Sequence, residues 1–148
     1  MIRFEGDRQL PFAPADAWLK LRDARFLIQC IQGGQPSGAE PTQDQAQCKV
    51  RPNVPFVQGV MEVTLRVNEA EEPMVLRILV SAQGSNASSE VEARLALVEK
   101  QGSTHVHWSA DVKKLGGMLQ AAPATQVQAA AQKVVNETWT LLSLKIGK

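Results

Sequence analysis

The closing stretch of the chain, Ala124 to Ile146, constrains the fold more than any other. On a wheel of 3.6 residues per turn, Val127, Ala130, Ala131, Val134, Val135, Thr138, Leu141 and Leu142 fall on one side. Gln128, Gln132, Lys133, Asn136, Glu137 and Thr140 fall on the other. The pattern predicts a single amphipathic helix of about 23 residues, roughly 34 Å long. Before Lys113 this period is missing, and apolar residues mostly recur at every second position, as in strands. One long helix and a run of strands can bury their apolar faces only against each other. The stripe is thin in the middle, where Ala130, Ala131 and Val134 offer little bulk, so the helix either approaches the sheet closely or leaves an internal void.

In chain order, Ile2 to Phe12 alternates as a strand with Phe4, Gly6, Arg8, Leu10 and Phe12 on one face. Pro14 suits the first turn of a short helix through Leu21 that turns Ala17, Trp18 and Leu21 inward. A second short helix, Ala24 to Ile31, carries Phe26, Leu27, Cys30 and Ile31 and is stopped by Gly33-Gly34. The polar segment that follows predicts two short strands, the better of them Ala46 to Val50. Pro52 and Pro55 mark a turn, Val57 to Val67 a strand, 68–73 an acidic turn, and Met74 to Ala82 another strand. Two more strands alternate through Val91–Leu97 and Thr104–Val112, and Pro123 separates Met118 to Ala122 from the long helix. The expected architecture is α+β: a strongly curved antiparallel sheet of about seven strands wrapped around the C-terminal helix, with two short helices after the first strand. Residues 1–148 read as a single domain, long enough to bury about 68–70% of its unfolded surface.

Composition narrows the function. A formal charge of +1 without a basic block gives no general nucleic-acid or anionic-membrane surface. No apolar run approaches the roughly 18 residues needed to span a bilayer, which leaves peripheral contact as the only expected membrane role. Cys30 and Cys48 form neither a Cys-x-x-Cys pair nor a metal-ligand spacing, and the charged start carries no signal-peptide core. Together these predict a cytoplasmic protein.

The order of elements and several local signatures resemble the START-like, or helix-grip, superfamily, also called SRPBCC. Within it the chain is most similar to the CoxG family, named for a subunit of carbon monoxide dehydrogenase. The pieces are Glu5-Gly6, the helix start Pro14-Ala15-Asp16-Ala17-Trp18, the turn Cys30-Ile31-Gln32-Gly33, the strand piece Val57-Gln58-Gly59, and Val134-Val135 through Trp139 to Leu142. Gln32 stands where the family usually has proline, and Arg8 where it usually has a large apolar residue. The resemblance implies a fold that holds apolar molecules between helix and sheet. It also implies binding of a quinone or similar lipid in support of a molybdenum hydroxylase at the membrane. Many members carry a C-terminal extension with a membrane-seeking segment, whereas this sequence ends at Lys148, which leaves that part of the role open.

Candidate site residues follow from the inward faces. Arg8 shares its face with Gly6 and Leu10, so its guanidinium needs a carboxylate, carbonyl groups, water, an open end of the sheet or the polar head of a ligand. Phe26, Leu27, Cys30 and Ile31 form either a lid beside a cavity mouth or plain core. Met61, Ile78, Val80, Leu95, Trp108 and Met118 from the strand region, with Val127, Ala130, Ala131 and Val134 from the helix, line either a pocket or a filled interior. His105 and His107 project together on one strand face beside Ser109 and Asp111, which can begin a zinc site but reads more simply as a solvated face. Thr138 is expected to bond back to the carbonyl of Val134. The sequence holds no Gly-x-Ser-x-Gly, no Gly-rich phosphate loop and no inward acid–base pair, so no catalytic residue and no cofactor is assigned. The leading expectation is a non-catalytic binder of a small lipid or quinone-like molecule, accessory to a redox enzyme; the alternative is an enzyme of the polyketide cyclase or aromatase kind.

Overall fold

The computed structural model describes residues 2–52, 57, 59–69 and 74–146. Its sheet has seven strands: β1 (Arg3–Leu10), β2 (Gln35–Pro36), β3 (Gln45–Val50), β4 (Met61–Glu69), β5 (Val75–Gln83), β6 (Ala87–Lys100) and β7 (Ser103–Gly117). They lie in the order β1-β7-β6-β5-β4-β3-β2, and every neighbouring pair is antiparallel. The helices are α1 (Pro14–Leu21), α2 (Ala24–Leu27), the single turn α3 (Met118–Ala121) and α4 (Ala124–Lys145), and a 3₁₀ turn (Ile28–Cys30) extends α2. This is the curved sheet and closing helix that the patterning predicts. Pairing of the first strand with the last leaves α1 and α2 as the link that carries the chain across to the far edge of the sheet.

Local chemistry explains the elements. Pro14 opens α1, with Asp16 in its first turn and Lys20 in its last, each where the helix dipole favours it. Asp23 caps α2 by accepting the Arg25 N–H at 2.9 Å. Gln101 and Gly102 both hold positive φ, 53° and 82°, between the paired residues Lys100 and Ser103. That is the two-residue hairpin whose twist suits long strands, and β6 and β7 run to 14 and 15 residues. A bulge at Glu90/Val91 adds curvature near the other end of this pair.

Some boundaries differ from the sequence expectation. The strand expected from Val57 begins at Met61, with Val57 buried ahead of it, and Gln58 lies outside the described residues. Pro55 and residues 70–73 of the expected acidic turn also lie outside them. The helix expected through Ile31 ends earlier, because the chain tightens into the 3₁₀ turn and Ile31 is already extended.

The interior gathers around one main cluster. Leu10, Leu21, Leu76 and Val106 are essentially sealed, with Trp108, Trp139, Leu142 and Ile146 beside them. A smaller cluster of Val57, Met61 and Ala87, with Val50, Ala82 and Leu119 against it, sits at the other end of the sheet. Helix α4 faces the sheet through Val127, Ala131, Val135, Thr138, Trp139, Leu142 and Ile146. That face is rotated by roughly 50° from the stripe read off the sequence, at about 100° per residue. Val134 therefore lies outside it, 51% exposed, which corrects the expectation that it faces the interior. The bulk of Trp139 sets the orientation, since burying one indole outweighs burying one valine. Met118 is a second correction: at 44% exposure it does not line the interior. Gly117, at φ +62°, turns the chain so that Leu119 packs inward instead.

Candidate functional site

The antiparallel register places inward residues in rows across the sheet. Gly6 pairs with Trp108, which pairs with Leu95, which pairs with Leu76. The next row runs Phe4, Ala110, Ala93, Ile78, and the one beyond it joins Val112, Val91 and Val80. Burial fades along this series. Trp108, Leu95 and Leu76 are buried, whereas Ala93, Val80, Val91 and Val112 are only partly buried. Opposite them stand the slender residues of α4, of which Ala130, Ala131 and Val135 are half-buried and Val127 buried. The backbone of α4 comes nearest to the 3₁₀ turn, and Ala131, Val135, Trp139, Leu142 and Ile146 join its face to the main core cluster. These partly buried residues form an apolar patch at the middle of the concave face, packed against the main core cluster.

At the buried end of this patch lie Arg8, Trp108 and Trp139. The Trp108 and Trp139 rings sit 6.0 Å apart at 41°. The Arg8 guanidinium carbon lies 5.7 Å from the centre of the Trp139 ring, a cation–π contact from the first strand to the last helix. Among the described residues no carboxylate stands within ion-pair distance of Arg8, so an aromatic face meets the charge that the sequence left seeking a partner. The Trp108 indole lies against Gly6, where an added Cβ would come within 3.1–3.2 Å of the ring. Its Nε1, sealed from solvent, has no hydrogen-bond partner among the described residues.

The short helices flank this region. Leu27 and Cys30 are buried and Phe26 is half-buried. The Cys30 thiol donates to the Phe26 carbonyl at 3.6 Å, and burial pushes its pKa up to about 11, slightly offset by Lys145. Lys145 donates from Nζ to the Gln29 carbonyl at 3.0 Å, tying the end of α4 to the 3₁₀ turn.

Of the residues proposed from sequence, the structure brings Arg8, Ile78, Val80, Leu95 and Trp108 to the concave face, with Phe26, Leu27 and Cys30 at its flank. Met61 is buried too, but in the smaller cluster. Sequence reasoning missed Trp139, Val91, Ala93 and Val112. The strand residues were available from alternation. Trp139 was available from the four-residue ladder Val127, Ala131, Val135, Trp139.

On the outer face, His105 Nε2 and His107 Nδ1 lie 2.8 and 3.0 Å from the same Asp7 oxygen. These hydrogen bonds, that of His107 first, hold the Asp7 carboxyl below the usual range. Among the described residues no three His, Cys, Asp or Glu side chains are grouped to hold a metal. Two surface depressions lie away from the concave face. One of about 620 Å³ follows the outer side of α4 at Gln132, Lys133, Asn136 and Glu137. The other, of about 320 Å³, crosses the outer sheet face at Thr64, Arg66, Ser81 and Glu90. Both are lined largely by polar and charged side chains, unlike the patch under α4. Among the described residues no helix is long and apolar enough to cross a membrane.

The fold recurs in solved structures. A conserved protein from Geobacillus kaustophilus superposes with a TM-score of 0.82 at 18% identity, covering 99% of this chain and 95% of its own. A START superfamily protein from Mycobacterium smegmatis gives 0.66 at 14% identity, covering 98% and 97%. A STAR-related lipid transfer protein fragment from Xanthomonas axonopodis gives 0.59 at 15%, covering 99% and 86%. No curated protein matches by sequence. The model of one family, the carbon monoxide dehydrogenase subunit CoxG, matches residues 6–147. With nearly its whole length matched and the START-like architecture in place, the chain belongs to the CoxG family.

Proposed function

We propose that this protein binds a small apolar molecule, a lipid or quinone-like compound, between α4 and the concave face of the sheet. In this reading it performs no chemistry on that molecule and serves a redox enzyme, such as a molybdenum hydroxylase, as an accessory subunit in the cytoplasm. The observation that supports the reading is the row Val80, Val91 and Val112, apolar, inward-facing and only partly buried on the concave face closed by α4. Exposed apolar area of this kind costs about 25 cal/mol per Å², and an apolar guest removes it. The START-like neighbours, one of them named as a lipid transfer protein, support a hydrophobic-ligand fold. The family name supports an enzyme-associated role.

The titratable groups near the patch speak against acid–base catalysis. Arg8 carries a guanidinium, which does not exchange its proton near neutrality. The thiols of Cys30 and Cys48 are both raised by burial, Cys30 to about 11, which takes them away from thiolate chemistry. Solvent extraction of protein purified from its source, followed by mass spectrometry, is expected to release an apolar compound in near-stoichiometric amount. Clean extracts, together with no saturable binding of a short-chain quinone or a medium-chain fatty acid, would overturn the reading.

A further inference from the structure

We infer that the ligand carries a carboxylate head, seated between the Arg8 guanidinium and the Trp108 indole N–H. The inference rests on the apolar-ligand reading above and specifies the polar end of that ligand. Its starting point is an imbalance of donors. Arg8 projects inward from β1 with five N–H groups and meets the Trp139 ring, which takes the charge but accepts no strong hydrogen bond. Trp108 is 7% exposed, and its Nε1 is a donor without a partner among the described residues. A buried donor left unpaired is unfavourable, so an acceptor at this place recovers free energy that the unliganded chain forgoes.

The two donors are neighbours by register. Gly6 pairs with Trp108 and Arg8 with Val106, two residues along the same face. Nε1 lies over Gly6, 3.2 Å from where a Cβ would stand, and only glycine leaves that place open. Both groups donate and neither accepts, which excludes a donor head such as an amine. The fixed positive charge favours an anion over a neutral carbonyl, and a carboxylate offers two oxygens to a guanidinium. Nε1 is sealed from solvent, so a head group reaches it as neighbouring side chains shift. Arg8, held by a ring contact and by no ion pair among the described residues, is free to turn toward an anionic head. The apolar remainder then extends past Ala110 and Ala93 toward Val91 and Val80, along the rows where burial fades.

The experiment compares dodecanoic acid, its methyl ester and dodecanol as competitors for a neutral fluorescent probe such as 1-aminoanthracene. It uses wild type, Arg8→Met and Trp108→Phe, each checked for a cooperative unfolding transition. The acid is expected to bind wild type about tenfold more tightly than the ester, the order of a charge-assisted hydrogen bond. Arg8→Met should bring acid and ester to within about twofold, because the preference for the anion rests on the guanidinium charge. In ¹H–¹⁵N spectra, the indole peak lost in Trp108→Phe should move on adding the acid to wild type and stay in place with dodecanol. Equal affinity of acid and ester for wild type, or an acid preference that survives in Arg8→Met, would overturn the carboxylate inference while leaving apolar binding intact. If the probe and all three competitors fail to bind, the apolar-ligand reading falls, and this inference with it.

Discussion

The indole rings of Trp108, near the middle of the last strand, and Trp139, on the closing helix, meet with their centroids 6.0 Å apart. The contact fixes how α4 lies on the sheet. It also places the only aromatic face that Arg8 meets among the described residues. Trp139→Ala is therefore expected to destabilise the fold by about 3–5 kcal/mol in urea unfolding, as for a large aromatic removed from a core. Trp139→Phe keeps a ring in place and should cost less than half of that. A loss below about 1 kcal/mol for the alanine variant would show that the helix is held elsewhere.

Gly6 and Trp108 form a second coupled pair. A side chain at position 6 meets the indole at 3.1–3.2 Å, so Gly6→Val is expected to destabilise by about 1–3 kcal/mol and to shift the tryptophan emission. Combining it with Trp108→Leu should recover part of the loss, a positive coupling in a double-mutant cycle. Strict additivity would mean that the ring does not lie against that strand.

Asp23 supplies a pH-dependent element of stability. Its carboxylate accepts the Arg25 backbone N–H and pairs with the Arg25 guanidinium at 2.8 Å, and these contacts, the side-chain one first, hold its pKa below the usual range. A carboxyl depressed in the folded state stabilises the fold above its unfolded pKa and loses that contribution as pH falls through the folded value. Asp23→Asn should therefore lie about 0.5–1.5 kcal/mol below wild type at pH 7, and the two should converge as the pH drops below about 4. A gap that widens on acidification would reverse the sign and contradict the contact.

The thiols report on the flank of the proposed site. Cys30 is fully buried, with its pKa raised to about 11, so it should react slowly with iodoacetamide at pH 8 unless the α2 segment opens. Lys145→Met removes the bond to the Gln29 carbonyl and should speed labelling of Cys30 several-fold while changing global stability by less than about 1 kcal/mol. Labelling of Cys30 located by peptide mapping decides this. An unchanged rate would show that α4 does not restrain the segment.

Local signals carried much of this fold, and distant ones did not. Pro14 at a helix start and Gln101-Gly102 between two alternating runs state their structure outright, because the chemistry lies within a few residues. Alternation likewise places Arg8, Trp108 and Ile78 inward. It says nothing about what stands opposite, and the partner of Arg8 lies on the last helix. The wheel drawn on Val127 treated all apolar residues alike, so it buried Val134 and overlooked Trp139, whose larger surface turned the helix. Met118 failed for a related reason: the positive φ of Gly117 redirects the chain just before it. The histidine pair was visible as a pair, whereas Asp7 reaches it only through the register of β1 on β7.

The central claim is that space remains between α4 and the sheet, and filling it is the most direct test. Val91 sits in the middle of the partly buried row, paired with Val80 on one side and Val112 on the other. If that space exists, Val91→Phe should melt at or above the wild-type temperature and lose the bound apolar probe. If the interior is already packed, the same substitution should lower stability by about 1–3 kcal/mol and leave probe binding unchanged, and that result would contradict the account.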